Sequence, residues 1–220
     1  MSQRIFVSGA NSRLSENIRV RLQTLGAQVC VSTEHAPAEQ NAFHAEPDSV
    51  QQFRLMQAEF ESAEATMGGI DALVNLCVVR QVPRSPRLSA EQWHASLAAL
   101  TGTEAQRCVA GLPFLQRQVG IKRIINVWLP AIEPDHHKHT DRQQDAVDLI
   151  VEHTKHLAEA YTTDGIVVMS LILHQQTQDD YQQIPVWVQF FIGEPTTAAN
   201  GSTIQLGLVP SGENNVGMTA

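Results

Sequence analysis

The stretch GIVVMSLIL, residues 165–173, is a continuous apolar run that opens on a glycine. A strand in the centre of a parallel sheet is covered by helices on both faces, so neither side of it meets water and both sides are apolar. The run therefore predicts a central strand of a parallel α/β sheet.

Apolar bursts and segments with helical periodicity alternate on both sides of this run. Such alternation predicts a doubly wound, three-layer α/β/α fold of the Rossmann type, with ligands at the carboxyl ends of the strands. We expect a single domain over residues 1–220. The predicted strands cover residues 4–7, 27–32, 42–45, 70–77, 123–128, 165–173 and 204–209. The predicted helices cover residues 14–25, 47–67, 90–118, 141–162 and 186–192.

The composition excludes several classes of partner. The chain has 220 residues, with 15 Lys and Arg against 23 Asp and Glu, and a formal net charge of −8. A protein with this charge has no overall positive field to attract nucleic acid or an anionic membrane. No segment reaches the roughly 18 apolar residues of a membrane helix, so we expect a cytoplasmic protein. Three widely spaced cysteines in apolar surroundings favour reduced core thiols over disulfides or zinc ligands.

Six short motifs mark the ends of the predicted elements in chain order. Each motif by itself is weak evidence for a fold, but their occurrence in this order along the chain is stronger evidence. They are Ser8-Gly9-Ala10, Gly69-Ile70-Asp71-Ala72-Leu73-Val74-Asn75, Leu88-Ser89-Ala90-Glu91-Gln92-Trp93, Ile124-Ile125-Asn126-Val127, Gly165-Ile166-Val167-Val168 and Gly201-Ser202-Thr203-Ile204.

Together these motifs resemble the short-chain dehydrogenase/reductase family, and the resemblance covers nearly the whole chain. It implies a dinucleotide cofactor and a catalytic serine, tyrosine and lysine that transfer a proton to or from a carbonyl or alcohol substrate. A fold does not settle an activity, so each of these positions has to be compared residue by residue.

The phosphate-binding turn departs from the family pattern. Glycines are needed there because the backbone approaches the pyrophosphate closely. Only Gly9 remains of the three, and Arg13 and Ser15 stand at the second and third positions. The guanidinium of Arg13 could neutralise a phosphate, but we expect its side chain to fill the space that a pyrophosphate needs.

The ribose-binding positions are altered as well. Thr33 stands where the resemblance implies an acidic ribose ligand, with Glu34 beside it, and no nearby Lys or Arg could bind a 2′-phosphate. Asn75 is kept from a four-residue motif whose glycine is replaced by Val78. We therefore expect no cofactor, and any residual dinucleotide binding should favour NAD over NADP. The vestigial cofactor positions are Gly9, Arg13, Glu34 and Asn75.

The catalytic positions have lost their chemistry. The resemblance places Leu129 at the serine, Gln143 at the tyrosine and Val147 at the lysine. Leucine and valine have no polar group and glutamine does not ionise, so we expect no catalytic residue here. The substrate lid is also expected to be shortened, to a Gln/Asp-rich link at about residues 174–186, which would not exclude water from a substrate.

A histidine-rich segment offers a different chemistry. His136, His137 and His139 are potential metal ligands, but adjacent residues on a loop rarely converge on one ion. We expect no metal and a solvated polar loop. The role of these histidines is left open.

These observations predict a non-catalytic protein that works as an oligomer subunit or scaffold. In the family, helices equivalent to residues 90–118 and 141–162 pair across a twofold axis. We expect a homodimer or homotetramer, or a hetero-oligomer with an active short-chain dehydrogenase/reductase. The alternatives are an atypical NAD-dependent oxidoreductase of a small carbonyl or alcohol, and a small-ligand sensor. The candidate apolar contacts are Val109, Leu112, Leu115, Val147, Ile150 and Val151.

Overall fold

The computed structural model of the chain describes residues 2–9, 12–32, 49–79, 90–130, 140–173, 178–193 and 197–206. Six parallel strands form one sheet in the order β2-β1-β3-β4-β5-β6. The strands are β1 (Arg4–Gly9), β2 (Gln28–Val31), β3 (Ala72–Val79), β4 (Lys122–Pro130), β5 (Ile166–Leu173) and β6 (Thr203–Leu206).

Helices connect successive strands, and the strand order changes direction at β1, which lies between β2 and β3. The predicted doubly wound, three-layer parallel sheet is therefore confirmed. The helices are α1 (Ser12–Thr24), α2 (Ser49–Met67), α3 (Ala90–Gln116), α4 (Thr140–Tyr161) and α5 (Gln178–Gly193), and a short 3₁₀ helix, Thr162–Asp164, follows α4.

The last helix begins earlier than the sequence predicts. The predicted Gln/Asp-rich link, the shortened lid, includes residues 178–186, but α5 already begins at Gln178. Its buried residues Ile184, Val188 and Phe191 recur at helical spacing and pack against the sheet. The predicted start of this helix at residue 186 was wrong, because polar residues and Pro185 obscured that periodicity. The shortened lid itself stays a prediction. The weak strand predicted at residues 42–45 lies outside the described residues.

The two faces of the sheet have different cores. On one face α1 and α5 cover a single large apolar cluster, which includes Val7, Leu14 and Val188. On the other face α2, α3 and α4 cover two separate apolar clusters. The larger of the two contains Phe60 of α2 and Leu115 of α3, and the smaller contains Trp128 and residues of α4.

Gly9 ends β1 where that strand runs against β3. Its φ is +117°, and a Cβ at this position would lie 2.3 Å from the carbonyl oxygen of Leu76. The position thus requires glycine for two reasons, its backbone conformation and the close approach of β3.

We expect Gly9→Ala to lower the free energy of unfolding by about 3 kcal/mol or more, because backbone strain and a clash with a strand carbonyl act together. Gly26→Ala is the matched control, since Gly26 has a φ of +84° but open space around it. Gly26→Ala should lower the free energy of unfolding by only about 1–2 kcal/mol, because alanine is disfavoured in the left-handed conformation. Urea unfolding followed by circular dichroism measures both, and equal losses would show that Leu76 can move away.

Candidate functional site

Four adjacent strands carry a polar residue at the same level of the sheet. The strand register pairs Ser8 with Asn75, Asn75 with Asn126, and Asn126 with Ser170. All four side chains are buried. Side chains at one level of a sheet point to the same face, and here that face is the one covered by α2, α3 and α4. This buried polar row separates the two apolar clusters of that face.

Hydrogen bonds fix the polar row internally and to α4. The Nδ2 of Asn75 donates to the Oδ1 of Asn126 over 2.9 Å. Trp128 Nε1 donates to the Oγ of Ser170 over 3.2 Å, and the hydroxyls of Ser170 and Thr154 are 2.7 Å apart. Polar groups removed from water need such partners, so the row holds α4 against β5.

The row leads to a buried acid on α3. Glu104, whose side chain is only 1% exposed, accepts a hydrogen bond from Cys108 Sγ at 2.9 Å. Its other oxygen lies 2.6 Å from His153 Nε2 on α4. Cys108 in turn lies 3.5 Å from Asn75 Nδ2. A continuous polar chain therefore runs from the centre of the sheet through Cys108 and Glu104 to His153.

This chain of contacts does not supply a nucleophile. Burial raises the pKa of the Cys108 thiol well above its ordinary value, and the nearby charge of Glu104 raises it further. The pKa of Cys77 is raised by the same two causes, in the same order. Thiols with raised pKa values stay protonated at neutral pH and react poorly. The arrangement is suited to fastening α3 to α4, with Glu104 and His153 as the joint.

Two of the three positions predicted for the catalytic residues, Leu129 and Val147, lie apart. Val147 is buried in the smaller apolar cluster of the α2–α4 face, with Cys77, Trp128, Ile150 and Ile172. Leu129 is also buried, but it belongs to the cluster on the α1 and α5 face. The two residues thus lie on opposite sides of the sheet. The side chain of Gln143 lies outside the described residues.

Two of the predicted cofactor positions have structural roles. Gly9 is required by the close approach of Leu76, and Asn75 is held within the polar row by Asn126 and Cys108. Their assignment as vestigial cofactor positions stays a prediction.

The other cofactor positions lie at the surface or beyond the described residues. Arg13, in the first turn of α1, is exposed, while Ser15, two residues later in the helix, is buried. Val78, which replaces a glycine, is 47% exposed near the end of β3. Thr33 and Glu34 lie outside the described residues. Occlusion of a pyrophosphate by Arg13 stays a prediction, because residues 10 and 11 beside it are not described.

The histidines considered as metal ligands, His136, His137 and His139, also lie outside the described residues. Within the ranges that are described, no group of three or more His, Cys, Asp and Glu side chains could hold a metal ion. None of the described helices is long and apolar enough to span a bilayer.

Several of the apolar residues expected to pair between subunits are buried inside this chain, among the described side chains of α3 and α4. Leu115, Val147 and Ile150 are buried against the chain's own sheet, whereas Val109 is 51% exposed. An amphipathic helix buries one stripe, and here the sheet already takes that stripe. The exposed residues of α4 are mainly charged or polar, and they include Asp148, Glu152, Lys155, His156 and Glu159.

The sequence reasoning missed Glu104. The available signal was an acidic residue on the apolar side of a predicted helix, one turn before Cys108 and at helical spacing from Leu115. A carboxylate in such a position has to be paired, because burying it alone is costly. The partner, His153, lies 49 residues later in the chain, and only the packing of α3 against α4 identifies it.

Comparison with known proteins finds solved structures that share this fold. No family model matches the chain, and no curated protein matches it. Many solved structures, however, match the chain. A short-chain dehydrogenase/reductase from Serratia marcescens matches over 93% of this chain and 95% of its own, with 18% identity and a TM-score of 0.61.

Two further structures extend the likeness. A Brucella ovis oxidoreductase of the short-chain dehydrogenase/reductase family, in complex with a partially ordered NAD, matches over 93% of this chain and 99% of its own, with 15% identity and a TM-score of 0.63. A putative 3-oxoacyl-reductase from Bacillus thuringiensis matches over 96% of this chain and 99% of its own, with 15% identity and a TM-score of 0.66. At these identities the likeness shows the Rossmann-like fold of short-chain dehydrogenase/reductases and not an activity.

We expect Glu104→Ala to lower the free energy of unfolding by about 3 kcal/mol, because it leaves His153 and the Cys108 thiol without their shared partner inside the protein. Glu152→Ala is the matched control on α4, where an exposed carboxylate lies 3.8 Å from Lys155. Exposed pairs contribute about 0–1 kcal/mol. Chemical denaturation of both variants tests this, and a small loss for Glu104→Ala would mean that the α3–α4 joint is not needed for stability.

Proposed function

We propose that this protein is a non-catalytic homologue of the short-chain dehydrogenase/reductases that acts as an oligomer subunit or scaffold. The partner is a second copy of the chain, in a homodimer or homotetramer, or an active enzyme of the same fold. The observation that carries the proposal is the buried position of Val147 in a cluster with Cys77, Trp128, Ile150 and Ile172.

Proton transfer to a carbonyl needs an ionisable group that faces a substrate. Four members of the Val147 cluster have no such group, and the fifth is Cys77, whose pKa is raised by burial. The five side chains pack together as a core does. Among the described residues, the side chains of this cluster are therefore suited to apolar packing and not to proton transfer.

A second candidate is an atypical NAD-dependent oxidoreductase. The Brucella ovis neighbour is described in complex with NAD, and another structural neighbour as an NADH-dependent reductase. In this chain the exposed guanidinium of Arg13 lies in the first turn of α1, and helix N-termini attract phosphate groups. This candidate predicts dinucleotide binding, whereas the subunit proposal does not. The cytoplasmic location stays a prediction from the sequence.

We expect isothermal titration calorimetry to find no NAD or NADP binding tighter than roughly millimolar, which corresponds to only about −4 kcal/mol. The physical reason is the loss of two of the three glycines that let a backbone approach pyrophosphate. A micromolar dissociation constant for either nucleotide would favour the oxidoreductase. Repeating such a titration with Arg13→Ala would then show whether the guanidinium holds the phosphates.

We also expect the double variant Gln143→Tyr, Val147→Lys to remain inactive on a broad panel of carbonyls and alcohols with NADH or NAD. The new lysine would place an ammonium inside an apolar cluster, so the variant should lose several kcal/mol of stability. Val119→Lys, at a fully exposed position in the loop between α3 and β4, is the control for adding a lysine and should leave the melting temperature nearly unchanged. Robust NADH oxidation by the double variant would show that the site is close to competent.

A further inference from the structure

Arg107 on α3 is a partly buried cation whose hydrogen-bonding groups are largely unused. Its Nη1 donates to the carbonyl oxygen of Leu76 over 3.4 Å, which is a long hydrogen bond. Its Nε is buried and has no acceptor among the described residues. A guanidinium carries several N–H donors, and removing them from water without acceptors is unfavourable. Arg107 therefore has donors to spare at a place that water reaches only in part.

The charge of Arg107 is not neutralised by a carboxylate in the part of the chain that the structure describes. None of the ion pairs found there includes Arg107. Glu104 lies one turn earlier on the same helix, but its two oxygens already contact Cys108 at 2.9 Å and His153 at 2.6 Å. Partly buried charges in proteins are normally paired, so an anion from outside the chain would complete this position.

The guanidinium lies where folds of this class bind ligands. β1 ends at Gly9, which is in register with Leu76, and β3 continues beyond that level. The strand order changes direction at β1, and in open parallel sheets the crevice beyond such a point takes the ligand. Burial and the charge of Glu104 raise the pKa of Cys77, and the charge of Arg107 opposes them. The guanidinium is therefore also close to the residue that follows Leu76 in β3.

We propose that Arg107 binds the oxyanion of a small ligand, a carboxylate or a phosphate group, in the crevice beyond the end of β1. Parallel N–H groups of a guanidinium fit the oxygens of such a group in a bidentate pair. The ligand supplies the acceptors that the described residues do not provide. This site adds small-ligand binding to the proposed role as a subunit, and it does not depend on that role.

The arrangement favours a small anion over a dinucleotide. The pyrophosphate of a dinucleotide needs the close approach of a glycine-rich turn after β1, and Arg13 and Ser15 replace two of those glycines. Arg107 lies on α3, outside the six motifs that resemble a dehydrogenase. A side chain that reaches the crevice from α3 binds an anion without the backbone of that turn.

The test is an NMR titration of the full chain with inorganic phosphate and, separately, with acetate, at constant ionic strength. The signals to follow are the Nε–H of Arg107 and the backbone amide of Cys77. We expect a saturable shift with one or both anions, and the two titrations identify which oxyanion the site takes. Arg107→Gln removes the charge but keeps an amide that can donate to Leu76, and it should weaken binding about tenfold or more.

Arg117→Gln is the matched control. It makes the same change of charge further along α3, at a side chain that is 58% exposed, and it should leave the dissociation constant unchanged. Circular dichroism checks the folding of each variant. If Arg107→Gln does not fold, Arg107→Lys replaces it, and this variant should bind more weakly than the wild type because an ammonium does not form a bidentate pair.

Three outcomes overturn the inference. The first is a wild-type titration without a saturable shift from either anion, and the second is equal binding by the wild type and the Arg107 variant; both leave the proposed subunit function intact. The third is a micromolar dissociation constant for NAD that Arg107→Gln abolishes. That result would assign a dinucleotide to the crevice and would contradict the proposed function as well.

Discussion

Exclusion of water from both faces of the central strands is the constraint on which the rest of the structure depends. All eight residues of β5 are buried, and the strands β3 and β4 are also covered by helices on both sides. Any polar side chain placed at this depth must find its partner inside the protein. In the row from Ser8 to Ser170, Asn75 contacts Asn126 and Cys108, and Ser170 contacts Thr154. The Oδ1 of Asn75 and the Nδ2 of Asn126 have no hydrogen-bond partner among the described residues.

The same constraint accounts for the buried joint between α3 and α4. Cys108 links the polar row to Glu104, and Glu104 contacts His153. His153 is the first residue in this series of contacts whose side chain is partly exposed. A carboxylate at this depth is tolerated only because it has two partners. The polar contacts therefore determine how α3 and α4 pack on the sheet, while the two apolar clusters on either side supply the hydrophobic stabilisation.

Residues that resemble parts of a dehydrogenase site contribute to the packing of the sheet in this chain. Gly9 is required by the carbonyl of Leu76, and Asn75 is bound by Asn126. Val147 takes part in apolar packing, as a core residue does. The sheet of such a fold is stabilised by burial and does not depend on a ligand.

The sequence by itself determined the fold class, because the apolar run at residues 165–173 and the alternation around it permit few structures besides a doubly wound parallel sheet. It also identified Leu129 and Val147 as residues without catalytic groups, since that depends on residue type alone. Only the tertiary structure showed that these two lie on opposite faces, that Glu104 meets His153, and that residues 178–186 are helical. These facts depend on contacts between segments far apart in the chain or on burial against the sheet, and a local pattern of residues does not contain them.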